Sequence, residues 1–152
     1  MTSISIDTSQ IDGYATGMAQ APAIIREEFL RSTNRLALQG VAFAQALTPV
    51  RTGHLRRANA ATPAVWAGGA TATYGNATPY ARPVEFGRRG FSARPGGALG
   101  PMNIGGRIVF AKSVGPAAAR PFIRPSVARL RPLVPREYRA AMQRVMARIG
   151  GA

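Results

Sequence analysis

Residues 23–47, AIIREEFLRSTNRLALQGVAFAQAL, decide how this chain is read. Ile25, Phe29, Leu36, Phe43 and Leu47 recur at steps of four or seven, and Leu30, Ala37, Val41 and Ala44 widen the same stripe. An apolar stripe with that period marks an amphipathic helix with one buried face. Pro22 suits its first turn, where the N–H that proline lacks is not needed. Gly40 is its weak point. Thr48-Pro49 ends it, because the residue before a proline is driven out of helical conformation.

Upstream, Ile4 and Ile6 alternate with polar neighbours, a short strand signal over 3–7. Thr8 or Ser9 could cap a short helix to about residue 21, weakened by Gly13 and Gly17. Downstream, residues 55–77 are rich in Ala, Thr and Gly, with Val65, Trp66, Thr71, Thr73 and Tyr74 among them. The pattern predicts strands near 55–66 and 70–75 turned by Gly68-Gly69, then a turn at Gly75-Asn76. Residues 80–87 form a short ordered element. Residues 88–106 hold six glycines and few large apolar residues, which predicts a long loop or hairpin arm. Residues 107–114 read as a strand. After Pro125, Val127, Leu130 and Val134, then Tyr138, Met142, Val145 and Ile149, resume helical spacing. Pro132 and Pro135 divide this into a short helix and a longer one over about 135–149, stopped by Gly150-Gly151. The fold class is α+β: a long N-terminal amphipathic helix and a C-terminal helix packed on a small, mostly antiparallel sheet, with a Gly/Arg-rich loop or arm.

The 152 residues suit a single domain, 1–152, able to bury a core without crosslinks. With no cysteine, disulfides and thiolate metal sites are excluded. No apolar run is long enough to span a membrane, and the N-terminus lacks the pattern of a secretory signal, so synthesis and use in a cytoplasm are expected. Lys plus Arg number 20 against 6 for Asp plus Glu, a formal charge of +14, and only Lys112 is a lysine. Such a surplus favours a polyanionic partner. The arginines are spread along the chain, and no helix-turn-helix, zinc or ribbon signature accompanies them, so the contact expected with DNA is non-specific.

Three segments stand out, none with a catalytic constellation. Residues 48–56, TPVRTGHLR, place Pro49, Thr52, Gly53 and Leu55 directly after the helix. Gly53 permits a turn that a Cβ would resist, and Thr52 can bond to the turned backbone. Residues 80–87, YARPVEFG, carry Tyr80, Ala81, Val84, Glu85, Phe86 and Gly87. Glu85, flanked by two apolar residues, is expected to alternate outward or to pair with an arginine; the sharper form is an ion pair with a neighbouring subunit's arginine. Residues 120–126, RPFIRPS, bracket Phe122 and Ile123 between Pro121 and Pro125, with Arg124 before the second proline. Pro125 should hold the helix start to the residues after it, with Phe122 anchored in the core. His54, the sole histidine, has no carboxylates at ligand spacing and no nucleophile framework. The Gly-rich stretch lacks the ending of a phosphate-binding loop. No enzyme and no cofactor are expected. Arg88, Arg89 and Arg94, with Phe91 among them, and Arg82 are the candidates for DNA-channel or subunit contacts.

In this order, P-x-x-T-G-x-L-R, Y-A-x-x-V-E-F-G and P-F-I-R-P-S resemble a family of tail-completion, neck or minor tail proteins that join tail to head in long-tailed double-stranded DNA phages. The resemblance runs from the first helix through the last. It implies a structural virion protein at the head–tail junction, assembled in a host cytoplasm as a ring around the DNA channel. Its implied partners are copies of itself, six by analogy with tail-tube symmetry, together with connector or stopper proteins and tail-terminator or tail-tube proteins. Many relatives carry Thr after the glycine that aligns with Gly87; here Arg88-Arg89 follow. The reading from another class is a non-specific nucleic-acid-binding protein of nucleoid or ribosome type.

Overall fold

The structure, a computed structural model, describes residues 9–104 and 106–150. The strand expected over 3–7 lies outside the described residues. A single helix, α1, spans Ser9–Leu47. The two helices expected to divide at Pro22 are therefore one, with Pro22 inside it. Proline removes one hydrogen bond there, while α1 packs from Gly17 to Arg35 against the last helix, α5 (Val134–Gly150). The two run antiparallel: Gly17 meets the Ile149 carbonyl at one end, and Thr33 meets Tyr138 further along.

The buried line of α1 is not the apolar stripe itself. It runs through Ile24, Glu28, Ser32, Leu36, Gly40, Ala44 and Thr48, each four residues from the last. Ile25, Phe29 and Phe43 flank it, half-buried. Polar and small residues can occupy that line because α5 and the sheets supply partners. Gly40 is a docking point rather than a weak one: a Cβ there would stand 2.6 Å from the ring of Tyr74.

After α1 come a helical turn α2 (His54–Arg57) and four short strands, β1 (Asn59–Ala61), β2 (Val65–Trp66), β3 (Ala70–Thr71) and β4 (Tyr74–Asn76). The β2–β3 hairpin turns where Gly68-Gly69 predicts it. The rest of the expected first strand is helical at 54–57, because Gly53 turns the backbone left-handed (φ 76°) and launches α2. Gly75-Asn76 is not a turn but part of β4, which pairs with β1. Residues 80–87 contain a helix, α3 (Ala81–Phe86). The chain ends with α4 (Ile123–Leu130) and α5.

Between α3 and α4 lies the arm. It is a hairpin ribbon: β5 (Phe91–Ser92) pairs with β8 (Ser113–Val114), and β6 (Leu99–Ile104) pairs with β7 (Arg107–Ala111). A bridge between Arg88 and Ala117 closes its base. The expected strand at 107–114 is thus the return side of the arm, which extends past residue 106. The ribbon makes only glancing contact with the body. Phe91, Ile108 and Phe110 are exposed on it. Among the described residues, the strands form antiparallel pairs rather than one sheet.

One core cluster lies at the C-terminal end of α1, where Ala44, Leu55, Ala81 and Phe122 are buried, with Leu47, Tyr74, Val84 and Ile123 packed around them. Phe122 is fully buried, as its proline-bracketed segment predicts.

Candidate functional site

The three segments singled out in the sequence meet at that cluster. Leu55 comes from the first, Ala81 and Val84 from the second, and Phe122 and Ile123 from the third. Polar contacts tie them together. The His54 Nδ1 lies 2.6 Å from the Tyr80 hydroxyl. The backbone N–H of Arg120 donates to the Val84 carbonyl at 2.8 Å.

The tightest link is Glu85. Its side chain is turned inward, not outward, because the segment is helical: Ala81 and Glu85, one turn apart, share the face that meets the core. Phe86 points to solvent instead. The Glu85 carboxylate accepts from the backbone N–H groups of Phe122 (2.7 Å), Ile123 (2.9 Å) and Arg124 (2.9 Å). These are the donors that a helix start leaves without partners. Arg124 adds a contact from its Nε at 3.3 Å and reaches the Glu85 carbonyl through a terminal nitrogen. Its guanidinium lies over the Phe86 ring at 4.9 Å. Glu85 therefore pairs with an arginine of its own chain. The expected ion pair with a neighbouring subunit is replaced by this internal one. Helix α4 also starts before Pro125, which occupies its first turn, because Glu85 caps it from outside. Burial alone would push the Glu85 carboxyl up; the three backbone N–H groups and Arg124 outweigh it and hold the group below its ordinary value.

The corner at residues 48–59 is organised by side chains to which the sequence reading gave no such role. The Thr48 hydroxyl donates to the Ala44 carbonyl at 2.6 Å and accepts from the amide of buried Asn59 at 2.9 Å. Asn76 donates to the Leu55 carbonyl and to the Asn59 side chain. The Thr52 hydroxyl, expected to bond locally, makes no hydrogen bond among the described residues. Thr48, Asn59 and Asn76 carry no pattern of their own; only the fold brings them together. Gly87 is required by its neighbours as well as by its φ of 75°, since a Cβ would stand 2.8 Å from the Ala117 carbonyl oxygen.

A second polar cluster joins α1 to α5. Buried Glu28 accepts from Arg144 (3.0 Å), Arg148 (3.1 Å) and Arg31 (3.1 Å). Arg144 also reaches Ser32 and Glu137, while Glu137 receives Arg35. The Arg144 hydrogen bond is the main cause holding the Glu28 carboxyl below its ordinary value, against the opposing effect of burial.

The candidate contact arginines are not gathered into one patch. Arg82 is exposed on α3, while Arg89 and Arg94 are exposed along the arm. Arg88 sits at the base of the arm, with its guanidinium 5.3 Å from the Phe91 ring centroid. None of them has a carboxylate within ion-pair distance among the described residues. Glu27, Glu28, Glu85 and Glu137 are all engaged by Arg31, Arg35, Arg124, Arg144 and Arg148. Among the described residues no His, Asp and Glu cluster could hold a metal ion, and no helix is long and apolar enough to cross a membrane. Comparison with protein-family profiles, curated sequences and solved structures returned no match to this chain.

Proposed function

We propose that this chain is a structural component of the head–tail junction of a long-tailed double-stranded DNA phage. In this reading, copies close into a ring around the DNA channel, six by analogy, and meet connector or stopper proteins on one side and tail-terminator or tail-tube proteins on the other. The observation that carries it is the convergence of the three resembling segments. Far apart in sequence, they pack into one core and are bound by Glu85, so the resemblance follows a single structural unit. The arm, in only glancing contact with the body, adds support. An isolated two-stranded ribbon is marginal in water, and this one exposes Ile108 and Phe110. A neighbouring subunit would cover them. The arginines without acid partners suit a wall beside DNA.

Native mass spectrometry and electron microscopy of the purified chain, alone and mixed with tail-tube protein, test the reading. A closed ring that is lost when the arm is shortened to a tight turn is the expected result. A chain that stays monomeric under all these conditions would sink it. The unpaired arginines also favour the alternative, a non-specific nucleic-acid-binding protein. That reading requires tight, salt-sensitive DNA binding by the monomer.

A further inference from the structure

A hollow of about 620 Å³ opens beside the first segment, between Pro49, Val50 and Leu55 on one side and Tyr80, Val84 and Arg120 on the other. Arg51 stands in its wall. A second hollow, of about 430 Å³, lies across Arg120 and shares Tyr80 and Val84 with the first. Arg88 lines it. The two make a groove with an apolar floor, lined by Arg51, Arg88 and Arg120, with Thr52 and Asn103 in its wall. Each hollow by itself has the volume of a ligand cleft, about 300–1,000 Å³.

The charges in this groove have no counterpart. Arg51, Arg88 and Arg120 form no ion pair among the described residues, and the Nη1 of Arg88 is buried with no hydrogen-bond partner. A buried donor on a cation left without a partner is costly. The four glutamates of another copy cannot readily supply the missing anion. Glu27, Glu28, Glu85 and Glu137 are committed internally, and the formal charge is +14. An anion from a different molecule would pair with these arginines. A phosphate backbone could use the guanidinium groups and the polar Thr52 and Asn103 of the wall, but it would leave the apolar Pro49, Val50, Leu55 and Val84 uncovered. We infer that the groove between the Thr52-Gly53 corner and α3 is a docking site for an extended acidic segment of another protein, its carboxylates on Arg51, Arg88 and Arg120 and its apolar side chains on the floor between them. This stands on the groove alone and does not depend on the head–tail reading.

Fluorescence anisotropy with the full chain tests it. The probes are a dye-labelled dodecapeptide alternating Glu or Asp with Leu or Val, the same peptide with Ser in place of Leu and Val, and a dodecamer of oligothymidylate. The acidic–apolar peptide should bind tightest. Arg51→Glu and Arg120→Glu should each weaken it by about tenfold or more. Arg129→Glu, a charge-matched change on α4, should leave it unchanged. Arg88→Met keeps an apolar stem beside Phe91 and removes the stranded charge. It should weaken peptide binding while the denaturation midpoint stays level or rises, an outcome a structural arginine would not give. Equal weakening by all three reversals would reduce the effect to bulk charge and overturn the site. Tighter binding of oligothymidylate with the same dependence on Arg51 and Arg120 would make the groove a nucleic-acid contact and overturn it too, as would no binding of the acidic–apolar peptide.

Discussion

Two buried glutamates hold this molecule together by different means. Glu85 joins α3 to α4 almost wholly through backbone N–H groups. Glu28 joins α1 to α5 through arginine side chains. The difference lies in redundancy. If Glu28 is removed, Arg144 keeps Glu137 and Ser32, and Arg148 keeps Glu27. If Glu85 is removed, no other side chain reaches the N–H groups of Phe122, Ile123 and Arg124 among the described residues. A fixed backbone donor has one acceptor in reach, whereas a long guanidinium has several.

The sharpest break of this comparison is Glu85→Ala. It should cost about 3 kcal/mol or more, because it strands buried donors and unpairs Arg124. Urea denaturation followed by circular dichroism checks it, and Glu85→Gln should recover part of the loss. Glu28→Ala should cost less, about 1–2 kcal/mol, as its arginines fall back on their other partners. An equal loss in the two variants would end the distinction drawn here.

Acid acts on both glutamates at once. Each carboxyl lies below its ordinary value of 4.5 in the folded chain. The stability each contributes is therefore present above that value and is lost as pH falls through the lower folded value. Denaturation midpoints should stay level from neutral pH down to about 4.5 and fall below it. In Glu85→Gln the fall should be shallower. The smallest effect is expected at the rim of the α1–α5 cluster. Arg148→Ala removes a half-exposed pair with Glu27 and one of the contacts to Glu28, and should lower the denaturation midpoint only slightly, by less as salt is added.

Much of the fold was legible in local chemistry. The stripe over residues 23–47 marked a buried helix, Gly68-Gly69 marked the hairpin, and the prolines around Phe122 marked an anchored helix entry. The arm was legible as a run of glycines and arginines, though its return strand was read as a separate element. Two of the misreadings share one cause. Whether residues 54–57 and 81–86 are extended or helical turns on which neighbours they meet, and six residues of pattern do not distinguish a period of two from one of 3.6. That choice decided Glu85: alternation would send it outward, whereas one helical turn from Ala81 puts it inside.

The sequence by itself determined the helices with a sustained apolar period, the turns that need glycine, and a charge surplus that no internal pairing could absorb. Those follow from side-chain chemistry over short spans. Only the tertiary structure decided where the few acids went, because pairing Glu28 with Arg144 and Glu85 with the start of α4 spans distances along the chain that local pattern does not encode. It also decided which arginines were left without a carboxylate: Arg51, Arg88 and Arg120 look like any others in the sequence and stand together only once α3, the corner and the base of the arm are packed.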